Sequence, residues 1–309
     1  MMFKKGRPLT PFYKGRGDNK FNKKIGDNMS RVKKYKQRCR DTLFVIFIFL
    51  LLTTGVVLIF SPWLQEAVIK TIISPYRIAH FSVEEIQNNR MNGKFENDLS
   101  HIETPSLATV LTNMNKVNKA DVVGEIAIGD VGIILPILKG TNTQNLLVGA
   151  TTLKEGQIMG EGNYVLAGHH MRDETLLFGP LQQVQKGTFI QLTNKQNLYT
   201  YEVVEKKIVH ESETDILQET SSPKLTLITC DVGGRKTNKR LVVIAQLVNT
   251  GLMDGDSKYV KQYNQQVNSM EKEKDDLQFW VGIIVLCCIC LIMIAILLLY
   301  YKNKTKKNL

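Results

Sequence analysis

The stretch KLTLITC ends at Cys230, and ten residues later Arg240 opens a second apolar run, RLVVIAQLV. Some sixty residues earlier, NYVLAGHHM brings His169 and His170 to the point where a strand-like pattern breaks into a loop. A thiol, an imidazole and a guanidinium are the parts of a nucleophilic acyl transfer. The thiolate attacks a carbonyl, the imidazole delivers a proton to the leaving group, and the planar cation donates to the oxygen on which charge develops.

A free thiol titrates near pH ~8.5, so a working one needs a base or a cation close by. Side-chain alternation supplies a geometry. In KLTLITC, residues Thr226, Ile228 and Cys230 share a face. If RLVVIAQLV returns antiparallel after the connection DVGGRKTNK, Cys230 and Arg240 meet at one rim. Each residue also has a plainer reading. Cys230 could be a small buried hydrophobe, and Arg240 a cation on an exposed hairpin. His210, in the charged run KKIVHESETD, is expected to be solvated, and His80 and His101 lie in polar sequence away from the strands.

The compartment bears on the thiol, because an unpaired cysteine in an oxidising space is a liability unless it is used. Two runs, Leu43 to Phe60 and Phe279 to Tyr301, contain no ionised side chain. At about 1.5 Å per residue they reach roughly 27 and 34 Å, enough for a hydrocarbon core. The first is longer than a signal-peptide core and ends in FSPWL, with no small-residue cleavage site, so it is expected to stay as an anchor. Residues 1–40 hold fourteen Lys and Arg against Asp18 and Asp27, and the tail KNKTKKNL adds four Lys, leaving 41–301 at net −5. Basic flanks stay inside, so both termini are expected in the cytoplasm and the chain between the spans on the outer face of the cell membrane. Cys39 then lies just inside, Cys287, Cys288 and Cys290 lie within the second span, and Cys230 alone lies outside. The basic arm suits an anionic inner leaflet and lacks the interleaved aromatics of a nucleic-acid surface, so no nucleic-acid partner is expected.

The elements that must position these residues lie between about 120 and 250. GEIAIGDVGIILPILKG gives short apolar runs broken by Gly and Pro, and TFIQLTNKQNLYTYEVVEKKIV reads as a hairpin turning at Asn194 to Asn197. Only NTQNLLVGA looks like a short helix. The spacing predicts an all-β barrel or sandwich. Around it the division is a basic cytoplasmic stretch 1–42, a span 43–60, a polar stalk 61–119, a second polar stalk 251–278, a span 279–301 and a tail 302–309. The stalks show no sustained apolar period and are expected to bury no core. No internal repeat, phosphate-cradling loop or zinc-type spacing is present.

TLITC followed by Arg240, with AGHH upstream, resembles the sortase family, and GEIAI and MGEGNYVLAGHHM extend the resemblance over roughly 120–250. The resemblance implies an all-β, eight-stranded barrel, here flanked by two transmembrane helices. It implies a cysteine transpeptidase that cuts an LPXTG-type sorting signal between Thr and Gly, holds a thioester, and passes the surface protein to a cell-wall peptidoglycan amine carried on a lipid-linked precursor. Cys230 matches the nucleophile, His169 the general acid and base, and Arg240 the oxyanion and positioning arginine. Ala167, Ile228 and Thr229 fall at motif positions lining the substrate groove, and His170 is given no essential role.

The pattern looks most like class A. A second span is commoner in class C, the pilin polymerases, but the Asp-Pro-aromatic lid motif of that class is absent from 61–120. Some class A members bind calcium; the matching positions here are Glu161, Gln157 and Lys154, a poor set for a hard cation, so no metal or cofactor is expected. The competing reading within the same chemistry is a cysteine peptidase with water as acceptor. A non-catalytic two-anchor scaffold would leave the three motifs as coincidence.

Overall fold

The computed structural model describes residues 18–59, 72–98, 116–171, 173–233, 235 and 237–269, with a few helical positions beyond 270. It divides into two compact units, Phe60–Val285 and a second made of Met1–Ile59 with Leu286–Leu309. In the second, α1 (Asp18–Ile59) is one helix of 42 residues, and Leu43, Phe44, Phe47 and Leu50 are exposed along it. The expected first span falls in the last part of α1. Among the described residues, no helix is long and apolar enough to cross a membrane. The expected second span, 279–301, lies almost wholly outside the described residues.

In the first unit eight strands close into a barrel: β1 (Val122–Ile128), β2 (Ile133–Leu138), β3 (Ala150–Thr152), β4 (Asn163–Ala167), β5 (Phe189–Thr193), β6 (Asn197–His210), β7 (Lys224–Cys230) and β8 (Lys239–Leu252). The order around the ring is β1-β2-β3-β4-β7-β8-β6-β5. Closure gives every strand a neighbour on each side, with one edge of β6 beyond Glu202 and one of β8 beyond Gln246 outside the ladder. Gly132, at φ +70°, makes the left-handed turn between β1 and β2 that other residues resist. In the β5–β6 hairpin, Asn194 Oδ1 accepts from the backbone N–H groups of Gln196 and Asn197, at 3.1 and 2.8 Å, while Lys195 takes φ +72°. The expected helix in NTQNLLVGA is a single 3₁₀ turn, Asn145–Leu147.

All seven residues of β1 are buried, which requires cover on both faces. Ile126 and Ile128 point into the main core. Ala127 joins a second cluster with Ile134, Leu198, Val260 and Tyr263. That cover corrects the expectation of two polar stalks at 61–119 and 251–278, for in their described parts these segments pack on the barrel. Ile72, Ile73, Tyr76, Ile78, Phe81 and Ile86 are buried within the main core cluster. Helix α2 (Val83–Asn92) is opened by a capping box between Ser82 and Glu85, and its Asn89 donates to the carbonyls of Lys119 and Val122. Helix α3 (258–269) contributes Val260 and Tyr263. A few apolar side chains suffice because the barrel supplies the opposite surface, so no amphipathic period is needed.

Both flanks meet at Glu125 on β1, which is 1% exposed. Arg77 donates to its carboxylate through Nε at 2.5 Å and Nη2 at 3.1 Å, Ile78 N–H at 3.2 Å, and Tyr263 Oη at 2.8 Å. A buried carboxylate is tolerated when its lone pairs are met by donors and its charge by a fork-shaped cation.

Candidate active site

Strand direction brings the chemistry together. β4 and β7 are parallel neighbours with Ala167 opposite Ile228, so the chain leaves both strands at the same end. His169 and Cys230 each follow two residues later. β8 returns antiparallel and sets Arg240 directly opposite Cys230, and β6 finishes at this rim with His210 opposite Lys239. The rim opens into a groove of about 410 Å³, lined by Ala167, His169, Ile228, Thr229, Cys230 and Arg240 among others.

The histidine loop is pinned to β7. Gly168 N–H donates to the Ile228 carbonyl at 3.1 Å, and the Thr229 hydroxyl donates to the Gly168 carbonyl at 2.8 Å. Thr229 is 3% exposed; it borders the groove, but its hydroxyl is committed to the loop. A Cβ at Gly168 would sit 2.5 Å from the Phe178 ring, which explains glycine ahead of the histidine pair. Phe178 N–H in turn donates to the His169 carbonyl at 3.0 Å. Leu177, just before it, is held at φ +52°, a conformation that costs a branched residue energy and persists only where the surroundings impose it.

His169 is buried, and its Nε2 has no hydrogen-bond partner among the described residues. Desolvation pushes its pKa down to about 4. Cys230 is a free, half-buried thiol. Burial pushes its pKa up, Arg240 pulls it back, and Asp231 and Glu211 add to the rise. At neutral pH the resting pair is therefore imidazole and thiol, both uncharged. With unshifted values near 6.5 and 8.5 about one molecule in a hundred would hold the ion pair at pH 7.5; both shifts make that fraction smaller.

His170 is tied to the nucleophile's backbone, its Nδ1 standing 2.9 Å from the Cys230 carbonyl oxygen. A carbonyl only accepts, so Nδ1 carries the hydrogen. Gly233 folds over the same ring, where a Cβ would lie 3.0 Å from Nε2 and 2.0 Å from the Met171 carbonyl oxygen. Arg240 donates through Nη1 to the carbonyls of Thr237 and Lys239, at 2.8 and 3.0 Å, and through Nη2 to Glu211 at 2.7 Å. His210 is exposed, with Nδ1 at 2.8 Å from the Ser212 hydroxyl.

Sequence reasoning missed Glu211 and the bond made by His170. Glu211 sits in a run of charges where nothing marks one carboxylate, but strand pairing was the available signal: a residue just past the end of β6 must lie beside the start of β8. At the calcium-type positions, Lys154 is ion-paired with Glu219, and the Gln157 amide is used on both backbone groups of Val165. An ammonium and a committed amide do not make a site for a hard cation.

The chain is similar to several known proteins. The family profile described as Sortase domain matches residues 126–248. The chain is 42% identical over 202 residues to Sortase A of Listeria monocytogenes, covering 65% of this chain and 90% of that one. It is 33% identical over 232 residues to Sortase A of Streptococcus agalactiae, covering 73% and 93%. A solved structure of Listeria monocytogenes sortase A aligns with a TM-score of 0.43 and 47% identity, over 46% of this chain and 96% of that chain.

Proposed function

The chain belongs to the sortase family of cysteine transpeptidases, most like class A, which anchor surface proteins to peptidoglycan, and from that premise we propose the residue roles. The Cys230 thiolate attacks the Thr carbonyl of an LPXTG-type signal, and Arg240 donates to the oxyanion. His169 passes the thiol's proton to the departing Gly amine, leaving a Thr thioester on Cys230. An amine of a lipid-linked peptidoglycan precursor then attacks the thioester, losing a proton to His169 and restoring the thiol. Ala167 and Ile228 form the apolar floor that receives the signal.

The observation carrying this reading is the convergence of Cys230, His169 and Arg240, from three chain segments, on one groove. The low resting population of thiolate suits an enzyme of modest turnover, whose pair is assembled around bound substrate. Two membrane anchors, at Leu43 to Phe60 and Phe279 to Tyr301, complete the proposal. They are supported by the uncharged runs, by the basic flanks and by the apolar side chains exposed along α1.

Mass spectrometry of the protein incubated with a sorting-signal peptide tests the assignment. Wild type should show an acyl-enzyme that a Gly or Ala amine discharges to the transpeptidation product. Cys230→Ala should show none while keeping its barrel, by circular dichroism. An acyl adduct on Cys230→Ala would sink the assignment, and release to water alone, whatever amine is supplied, would favour a peptidase.

A further inference from the structure

The Arg240 guanidinium is largely engaged before any substrate arrives. Of its five N–H groups, both on Nη1 are given to the carbonyls of Thr237 and Lys239, and one on Nη2 to Glu211. The Nε–H and the second Nη2 hydrogen remain without partners among the described residues. The two carbonyls lie within three residues of Arg240 on its own chain segment, so they hold the group only relative to the start of β8. Glu211 is different: it stands 29 residues away, beyond the end of β6, and both it and Arg240 line the groove.

We propose that Glu211 is a positioning residue for the transpeptidase reaction, its carboxylate holding the Arg240 fork so that the two free N–H groups face the bound carbonyl. The inference rests on the role given to Arg240 above. A planar fork is useful only in the right orientation, since losing one aimed oxyanion donor costs roughly 10²-fold in rate. The Nη1 bonds fasten the fork to its own strand, and Glu211 adds a hold from beyond the end of the neighbouring strand β6 before any substrate arrives. The arrangement carries an electrostatic cost, because an anion near the rim opposes thiolate formation. The charged and titratable groups around Cys230 and its groove are Arg240 from β8, Asp231 after β7, Glu211, Glu213 and His210 at the end of β6 and just beyond it, and His169 and His170 from the β4 loop. Glu211 works against Arg240 on the thiol while it orients Arg240 for the carbonyl.

The two effects separate in substitution. Glu211→Gln keeps an amide oxygen for Nη2 and loses the charge. Its kcat/KM should stay within about threefold of wild type, while the pH profile of Cys230 alkylation by iodoacetamide, without substrate, moves to lower pH. Glu211→Ala loses the acceptor as well, and its kcat should fall about tenfold or more, the scale of one charge-assisted hydrogen bond, with KM little changed. In an Arg240→Ala background the same change should have no further effect on kcat. Equal activity of Glu211→Ala and wild type, or an undiminished loss in the Arg240→Ala background, overturns the proposal while leaving Arg240 in its role. Near-wild-type activity of Arg240→Ala itself overturns both, and the two failures are told apart by that variant. An alkylation profile unmoved in Glu211→Gln refutes the electrostatic part.

Discussion

His169 illustrates how a single side chain can be chosen for what it loses on folding. Its pKa falls to about 4 through burial alone, against about 6.5 in an unfolded chain. The unfolded state therefore binds more protons between those values, and stability rises with pH across that window. The contribution is fully present above pH 6.5 and is lost as pH falls toward 4, a change of roughly 3 kcal/mol. Urea midpoints measured from pH 7.5 down to 4.5 should fall steeply for wild type and less steeply for His169→Asn; parallel curves would mean the ring stays solvated. The neighbouring His170 is left without a role by sequence and family resemblance. Its bond to the Cys230 carbonyl was not legible because side-chain alternation says which face a residue takes, not which backbone atom a neighbouring ring will reach. His169→Ala should abolish acyl transfer, whereas His170→Ala, losing a hydrogen bond that only steadies the nucleophile, should lower kcat/KM by about tenfold or less.

At the scale of the elements, the parallel pairing of β4 with β7 and the antiparallel return of β8 do the assembling. The β7–β8 half of that geometry was readable in advance. Period-two alternation in KLTLITC and the ten-residue interval to Arg240 put both side chains on one rim, and the observed register sets Cys230 opposite Arg240. The β4–β7 half was not, because a parallel pair brings together residues some sixty positions apart with no turn signal between them. What fixes the pair at its working end is Thr229, which bonds the Gly168 carbonyl. Thr229→Val should leave that buried carbonyl unmet, costing about 1–3 kcal/mol in urea unfolding and loosening the His169 loop. Thr229→Ser should retain both stability and turnover. If valine performs as well as serine, the loop is held by Phe178 and the backbone instead.

For the molecule as a whole, the flanks are the part that sequence reading misjudged. Their composition is polar, and the residues that bury, such as Ile86, Val260 and Tyr263, are too sparse to show a period. The signal lay in the barrel: VVGEIAI and IILPIL are continuous apolar runs broken only by Gly, Glu and Pro, as strands covered on both faces read. A lone Glu inside such a run asks for a partner, and finds Arg77 and Tyr263 at separations of 48 and 138 residues, which no local pattern reveals. Arg77→Ala, which strips the cation from a buried carboxylate, should destabilise the barrel unit by about 3–5 kcal/mol. Arg77→Ala combined with Glu125→Gln should recover part of that loss, and a double variant no more stable than Arg77→Ala would show that the pairing is incidental.

The chain enters the barrel past Arg77 and leaves it past Tyr263, and both are fastened to the one carboxylate on β1. In the closed ring β7 is the strand farthest from β1 in either direction. Mechanical load arriving along the N-terminal flank thus meets the Glu125 clasp on β1 and is then shared through β2 and β5, the immediate neighbours of β1. The strand bearing the nucleophile is the last to feel it. An enzyme that anchors surface proteins can thus be pulled from its N-terminal side without its cysteine and histidine being drawn apart.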